Sequence, residues 1–423
     1  MKTKTHQAVV LKDVPCPFCS LICDDLVIQN KEGTLAVTEN GCAKAKACFS
    51  QPLDDDVPTL KGKPCSIDEA IEATARILKQ SAAPLLAGLG TDIGGMRSVM
   101  LLADNIGATI DHMHSDGAIR NTLVLQDLGW VMTTMSEIKN RADYIIFAGT
   151  DASNYSRFFE RVIWNKDSLF SDPEKRKIVY IGDKLKTSAG KSPAGRLPTV
   201  LKCKQEEISE IISVLHAIIA DNKIQQAKIA GINLTTLQKL AEQMKQAKYG
   251  VIVWASGELN FPHAELTIQS ICELVKYLTR TTRFAGFTLA GGDGVMSANS
   301  LSAWQSGFPL RVNFSVGVPK HDVGRNSTKN LLKNKVADAM LWISSFSSNI
   351  NPPEAKIPTI VLATPGTKLN FKPDVFIPVA TPGVDHSGQL IRTDSVVSLN
   401  LKKLRDSKYM SVGDILSRVN ELV

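Results

Sequence analysis

Four cysteines pose the first chemical question. CPFCSLICDD spans residues 16–25 and GCAKAKACF follows, so Cys16, Cys19, Cys23 and Cys42 stand at C-x2-C-x3-C-x18-C spacing. Three thiolates come from a single loop, and the run QNKEGTLAVTENG turns the chain back to supply the fourth. That convergence suits an iron–sulfur cluster. The same residue types also serve a structural zinc site, or survive as an empty, reduced nest. The three-residue gap favours iron–sulfur over zinc. Cys48 is a spare thiol within the same stretch. Cys65, Cys203 and Cys272 lie singly and read as small buried hydrophobes. His112 and His114 are near enough in sequence to be considered as ligands. Histidines two apart point the same way only on a strand, and they read as ordinary turn or surface residues.

The elements that would carry these groups fall into three regions. Residues 1–60 alternate short β-like runs (AVVL, DLVIQ, TLAVT) with the cysteine loops, which predicts a small N-terminal cysteine domain of iron–sulfur type. SIDEAIEATARILKQ follows as a helix, with Ser66 and Glu69 at capping-box spacing. From residue 61 to 423 apolar strand-like runs alternate with helices: PLLAGLG, MRSVMLLADNIG with its glycine cap, ADYIIFAGTD, RKIVYIGD, EEISEIISVLHAIIADN, TLQKLAEQMKQA, YGVIVWASGE, ADAMLWISS, IPTIVLAT and DVFIPVA. Near-continuous apolar strands between helices predict parallel, doubly wound α/β sheets, in two α/β domains.

Composition narrows the functional classes. The 423 residues are 43% apolar and 22% charged, ordinary for a globular protein. Net charge is +7, yet the basic residues are scattered and aromatics make up only 6%, which argues against a nucleic-acid surface. MKTKTHQAVVLKDV lacks a signal-peptide core, and no stretch approaches the roughly 18 apolar residues of a membrane span. The chain is therefore expected in the cytoplasm, where eight cysteines point to metal binding or burial rather than disulfides.

The chain as a whole resembles the B subunit of formylmethanofuran dehydrogenase, within the wider family of molybdenum- or tungsten-pterin formate dehydrogenases. CPFCSLICDDL and GCAKAKACF are similar to that family's N-terminal cluster domain, and IDEAIEATARILKQSAAPLLAGLG to its entry into the first α/β domain. NTLVLQDLG resembles the helix after the active-site turn. ANSLSAWQSGFPLRVNFSVGVPKHDVGR and VFIPVATPGVDHSGQLIRTDSVV resemble segments of the formylmethanofuran branch. The resemblance implies two interleaved Rossmann-like domains of the pterin-oxidoreductase type over residues 61–423 and no C-terminal β-barrel. It implies one [4Fe–4S] cluster on Cys16, Cys19, Cys23 and Cys42. Lys44, two residues past the fourth cysteine, matches a lysine that bridges cluster and pterin in that family and is the candidate cofactor-binding residue.

Departures from the family pattern bear on function. Redox-active members place a cysteine or selenocysteine, followed by histidine, just upstream of the NTLVLQDLG helix. Here DHMHSDGAIR puts Gly117 and Ala118 there, and no cysteine occurs between Cys65 and Cys203. LAGGDGVM sets Ala290, Gly292 and Gly294 where the family has the Arg, His and Asn of Arg-Gly-His-Tyr-Asn. FAGTDASNYSRFF replaces a pterin-phosphate turn that normally carries Asn-Pro and His-Pro-Arg. Glycine and alanine can neither ligate a metal nor handle a substrate carboxylate and proton.

These losses match the B subunit of the bacterial formyltransferase/hydrolase complex, which resembles the dehydrogenase subunit with its active site erased. The resemblance implies a non-redox subunit without catalytic residues of its own, in one-carbon metabolism from formyl-tetrahydromethanopterin to formate through a methanofuran-type carrier. Molybdopterin, tungsten and molybdenum are not expected. The implied partners are the amidohydrolase-type, formyltransferase-type and C-type subunits. An active molybdenum or tungsten dehydrogenase subunit and a solitary iron–sulfur electron carrier are the alternatives. Residues 112–121 and 289–296 are expected to converge near the C-terminal ends of parallel strands.

Overall fold

A computed structural model describes residues 8–52 and 55–423; the first seven residues, part of the stretch read above for a signal peptide, lie outside it. Two compact units make up the chain: unit 1 joins residues 1–115 to 291–423, and unit 2 is the continuous segment 116–290. The fold is mixed α/β with parallel sheets and, among the described residues, no closed barrel. No helix is long and apolar enough to cross a membrane among those residues.

In unit 1 the central sheet has five parallel strands: Thr109–His112, Pro84–Gly90, Ala339–Ser344, Thr359–Ala363 and Val375–Pro378. Short antiparallel strands extend it to nine among the described residues, Val312–Asn313 and Lys320–His321 on one side, Thr59–Leu60 and Lys63–Pro64 on the other. Successive side chains face opposite sides. Leu86, Leu341, Ile343, Ile360 and Leu362 therefore pack with the helices Ile67–Gln80, Ile93–Ile106 and Val412–Asn420. Leu85, Ala87, Met340, Trp342 and Val361 bury the other face with Leu331 of the helix Thr328–Lys333. Each buried Leu, Ile, Val or Met among them contributes about 1.5–3 kcal/mol, and burial on both faces makes the strands read as continuous apolar runs. The N-terminal strands Val9–Val14, Leu26–Lys31 and Thr34–Glu39 form their own antiparallel sheet.

The local punctuation follows the sequence. Ser66 and Glu69 close a reciprocal capping box on Ile67–Gln80. Gly107, left-handed at φ 67°, ends Ile93–Ile106. Cys203 and Cys272 are buried, as expected of small hydrophobes, whereas Cys65 is half-buried beside the first core.

Unit 2 is a five-stranded parallel sheet in the order Thr199–Leu201, Lys177–Ile181, Tyr144–Ala148, Gly250–Trp254, Phe284–Thr288. The helices Ile208–Ile219, Leu234–Gln246 and Ala264–Leu278 cover one face with Ile211, Leu215, Leu240 and Ile271. On the other, Phe147 stacks against Phe159 and Tyr180, each at 5.2 Å. Phe159 opens a π-helical turn, Phe159–Ile163, whose free carbonyls are taken by the buried guanidinium of Arg176, donating to Val162 at 3.0 Å and to Ile163.

Candidate functional site

The cysteine loop lies between the first two strands. The Cys16 amide donates to the Cys23 carbonyl at 2.8 Å and the Ile22 amide to the Cys19 carbonyl at 3.1 Å, folding three thiols into one loop. Cys42 begins the helix Ala43–Phe49, its Sγ accepting from the Ala45 amide at 3.4 Å. Phe18 meets Phe49 edge-on at 4.9 Å and ties loop to helix. The C-terminal segment backs the loop: the Thr393 amide donates to the Ser20 carbonyl at 2.9 Å, and Leu390 and Ile391 line a small cavity with Cys19 and Ile22. Burial, with Cys19 beside it, pushes the Cys16 thiol well above its ordinary value, and burial pushes Cys19 up to about 11. Charging several thiolates here is costly without a compensating cation. Among the described residues no group of three or more His, Cys, Asp or Glu side chains is set to grip a single metal ion.

Lys44 extends from the helix that Cys42 caps. Its Nζ lies 3.8 Å from where a Cβ on Gly292 would stand, and its charge reaches Cys19, Cys48 and Asp293. Asp293 holds the next link, with its Oδ2 2.8 Å from His114 Nε2. Burial acts to raise the Asp293 carboxyl, but the hydrogen bond and charge of His114, with Lys44, hold it below the usual carboxylate range. His112 completes the chain of contacts. Its Nδ1 accepts from the His114 amide at 3.0 Å, which requires Nε2 to carry the proton and donate to the Asp293 carbonyl at 3.0 Å. Burial, with His114 alongside, pushes the His112 imidazole down to about 3 and keeps it neutral.

This corrects the reading of His112, whereas His114 does lie in a turn. His112 is 2% exposed at the C-terminal end of a core strand, and His114 is only half-buried. The reason is Asp293, a partner some 180 residues away in sequence, which no local pattern reveals. Sequence reasoning misses Asp293 as a site residue; a carboxylate inside the glycine-rich run GGDG is the available signal.

The remaining segments lie in unit 2, where the backbone closes over the expected ligand position. A Cβ on Gly117 would stand 2.9 Å from Gly257 Cα and 3.1 Å from its amide nitrogen. Asn121 accepts from Trp254 Nε1 at 2.9 Å and donates to Thr288 Oγ1 at 2.9 Å, filling the ends of two parallel strands. Ala290 is buried, its carbonyl accepting from the Tyr155 hydroxyl at 2.6 Å. The turn after Tyr144–Ala148 spends its polar groups internally: Asp151 accepts from the amides of Ser153 at 2.8 Å and Lys186 at 2.6 Å. Thus 112–114 meet 291–293 within unit 1, and Asn121 meets Thr288 within unit 2. In unit 1, Gly294 at φ 75° is also closed to a side chain, since a Cβ would lie 2.5 Å from the Thr91 carbonyl.

No protein-family model matches the chain. Whole-chain comparison finds the B subunit of the tungsten-containing formylmethanofuran dehydrogenase 2 of Methanocaldococcus jannaschii, 29% identical over 416 residues and covering 94% of both chains. The B subunit of the formyltransferase/hydrolase complex of Methylorubrum extorquens is 27% identical over 337 residues, 78% of this chain and 87% of that one. The chain is a homologue of these B subunits. The crystal structure of the Methylorubrum extorquens formyltransferase/hydrolase complex with methylofuran contains a chain of the same fold, with a TM-score of 0.73 at 24% identity, covering 86% of this chain and 98% of that one. In this B-subunit homologue the positions where a metal ligand and substrate residues would be sought are Gly117, Ala290, Gly292 and Gly294, and only Gly292 has ordinary space for a side chain on its Cβ.

Proposed function

We propose that the chain is a non-redox subunit of a cytoplasmic formyltransferase/hydrolase complex. That complex would carry a one-carbon unit from formyl-tetrahydromethanopterin to formate through a methanofuran-type carrier. The observation that carries this reading is Gly117, which offers no ligand and whose Cβ position is closed by the backbone of Gly257. Homology to the Methylorubrum extorquens subunit supports it. Identity to the tungsten-containing subunit is slightly higher, but a soft sulfur ligand is what would make that chemistry available here, and glycine supplies none. The alternative of an active dehydrogenase subunit is correspondingly less supported. Amidohydrolase-type and formyltransferase-type partners would perform the transfer and hydrolysis.

The N-terminal residues, in this reading, are a small iron–sulfur-type domain, and the two units descend from pterin-binding α/β domains. Cys16, Cys19, Cys23 and Cys42 hold one [4Fe–4S] cluster. The donor set fits: three thiols come from one closed loop, the fourth caps a helix packed on it, and a cluster spreads its ligands wider than a single ion does. The cluster would supply cationic charge that makes buried thiolates tenable and ties two loops together. Lys44 would sit between it and Asp293.

The test is purification of the native complex under anaerobic conditions. Formyltransferase-type and amidohydrolase-type subunits should co-elute, with iron and acid-labile sulfide near four per chain and tungsten and molybdenum at background. Stoichiometric tungsten or molybdenum, with electron transfer from formylmethanofuran to a viologen dye, would reject the reading.

A further inference from the structure

One surface of unit 1 combines exposed apolar groups with uncompensated positive charge. Trp304 is 67% exposed, Val316 62%, Val318 52% and Phe308 39%. Trp304 and Phe308 flank the end of the helix Val295–Ser306, and the Phe308 ring stacks on His321 with centroids 5.8 Å apart. His321 belongs to the outermost strand of the nine-stranded sheet, paired with Val312–Asn313 as a hairpin whose tip carries Val316 and Val318. The stretch that starts at this strand holds five cations, Lys320, Arg325, Lys329, Lys333 and Lys335, and a single acid, Asp322. Asp322 reaches Arg325 at 3.8 Å, and the four lysines make no ion pair among the described residues.

The surface is held rigidly from behind. Arg311, at the base of the hairpin, donates to Asp111 at 2.8 Å, and the second oxygen of Asp111 accepts from the Thr328 amide at 2.7 Å and its hydroxyl at 2.8 Å. A preorganised face loses little conformational freedom on binding. Exposed tryptophan, phenylalanine and valine side chains bordered by charge have the composition of an interface centre and its rim. The unpaired cations select the partner's sign, since like charges across a rim repel and opposite ones steer encounter. A centre that is mainly apolar, with its cations confined to the rim, suits a protein surface better than a phosphate backbone.

We propose that Trp304, Phe308, Val316 and Val318, with Lys320 and Arg325 at the rim, dock an acidic protein surface on a partner subunit. This rests on the reading of the chain as a complex subunit. W304E/V318E and, separately, K320E are to be made in the full chain co-expressed with the formyltransferase-type and amidohydrolase-type subunits. All three positions are exposed, and circular dichroism with thermal unfolding checks that the variants fold as the wild type does. The expected results are at least tenfold weaker retention of a partner by W304E/V318E, salt-sensitive weakening by K320E, and slower hydrogen exchange over 304–320 in the complex than in the free chain. Retention of every partner by a folded W304E/V318E, with 304–320 unprotected, overturns the docking surface alone. Elution of the wild-type chain without partners overturns both it and the functional reading. Co-sedimentation with phosphatidylglycerol vesicles that W304E/V318E abolishes, with partner retention unchanged, assigns the face to a lipid surface and also overturns the proposal.

Discussion

The α-carbon of Gly257 stands 2.9 Å from the point a Cβ on Gly117 would occupy. Backbone cannot rotate away as a side chain can, so any larger residue at 117 must move the segment around Ser256, whose carbonyl also accepts from Arg120 at 2.8 Å. Gly117→Cys, the substitution that would restore a sulfur ligand, should destabilise unit 2 by about 1–3 kcal/mol through overpacking. Gly292→Ala, at a position with ordinary van der Waals space, should change stability by less than about 0.5 kcal/mol. Denaturant midpoints at unchanged m-value report both. Equal stability of wild type and Gly117→Cys would remove the main support for a closed ligand position.

The Asp111–Arg311 pair gives a second expectation. Both side chains are under 10% exposed. Asp111→Ala leaves a buried guanidinium and should cost about 3–5 kcal/mol, whereas replacing both partners with apolar residues of similar volume should cost clearly less. A double-mutant cycle measures the difference.

His112 predicts a pH dependence. Its folded pKa, about 3, lies below the ordinary 6.5, so between those values the unfolded chain binds more protons than the folded one. Stability from this group is complete above pH 6.5 and falls as pH drops towards 3, at up to about 1.4 kcal/mol per pH unit. His112→Asn should flatten the slope between pH 6.5 and 5, where ordinary carboxylates contribute little. An unchanged slope would show that His112 is protonated or solvated in the folded chain.

Alkylation tests the thiol environment. In chain freed of metal by chelation under reducing conditions, Cys16, 5% exposed and with its thiol pushed far up, should react with iodoacetamide at pH 7.5 at least tenfold more slowly than the same cysteine in urea. Equal rates would mean that the loop opens freely.

Much of this architecture is legible where local chemistry repeats. The capping box of Ser66 and Glu69, the glycine stop at Gly107 and the strands Pro84–Gly90, Tyr144–Ala148 and Gly250–Trp254 all announce themselves in a few residues. The strand Thr109–His112 does not. Its sequence TIDH has a single apolar residue, Ile110, and it is buried on the strength of Arg311, Thr328 and Asp293, about 180–220 residues further on. The candidate site divides the same way. Cys16, Cys19, Cys23 and Cys42 are evident from spacing, but the Asp293–His114 contact arises only when the two parts of unit 1 come together. Phe284–Thr288, reading FAGFT, escapes the strand pattern because glycine interrupts its apolar run, although Gly286 is itself buried in the sheet.

Unit 2 is one uninterrupted stretch, whereas the sheet of unit 1 pairs Pro84–Gly90 directly with Ala339–Ser344. During synthesis, therefore, residues 116–290 can finish folding while the first strands of unit 1 still await neighbours that the ribosome has yet to make. For the intervening 250 or so residues, Leu85, Leu86 and Ala87 stay without their central partners. The nascent chain is most in need of a chaperone in that interval, and a premature stop between residue 290 and the 339–344 strand would leave a well-folded insert attached to an adhesive, unfinished host.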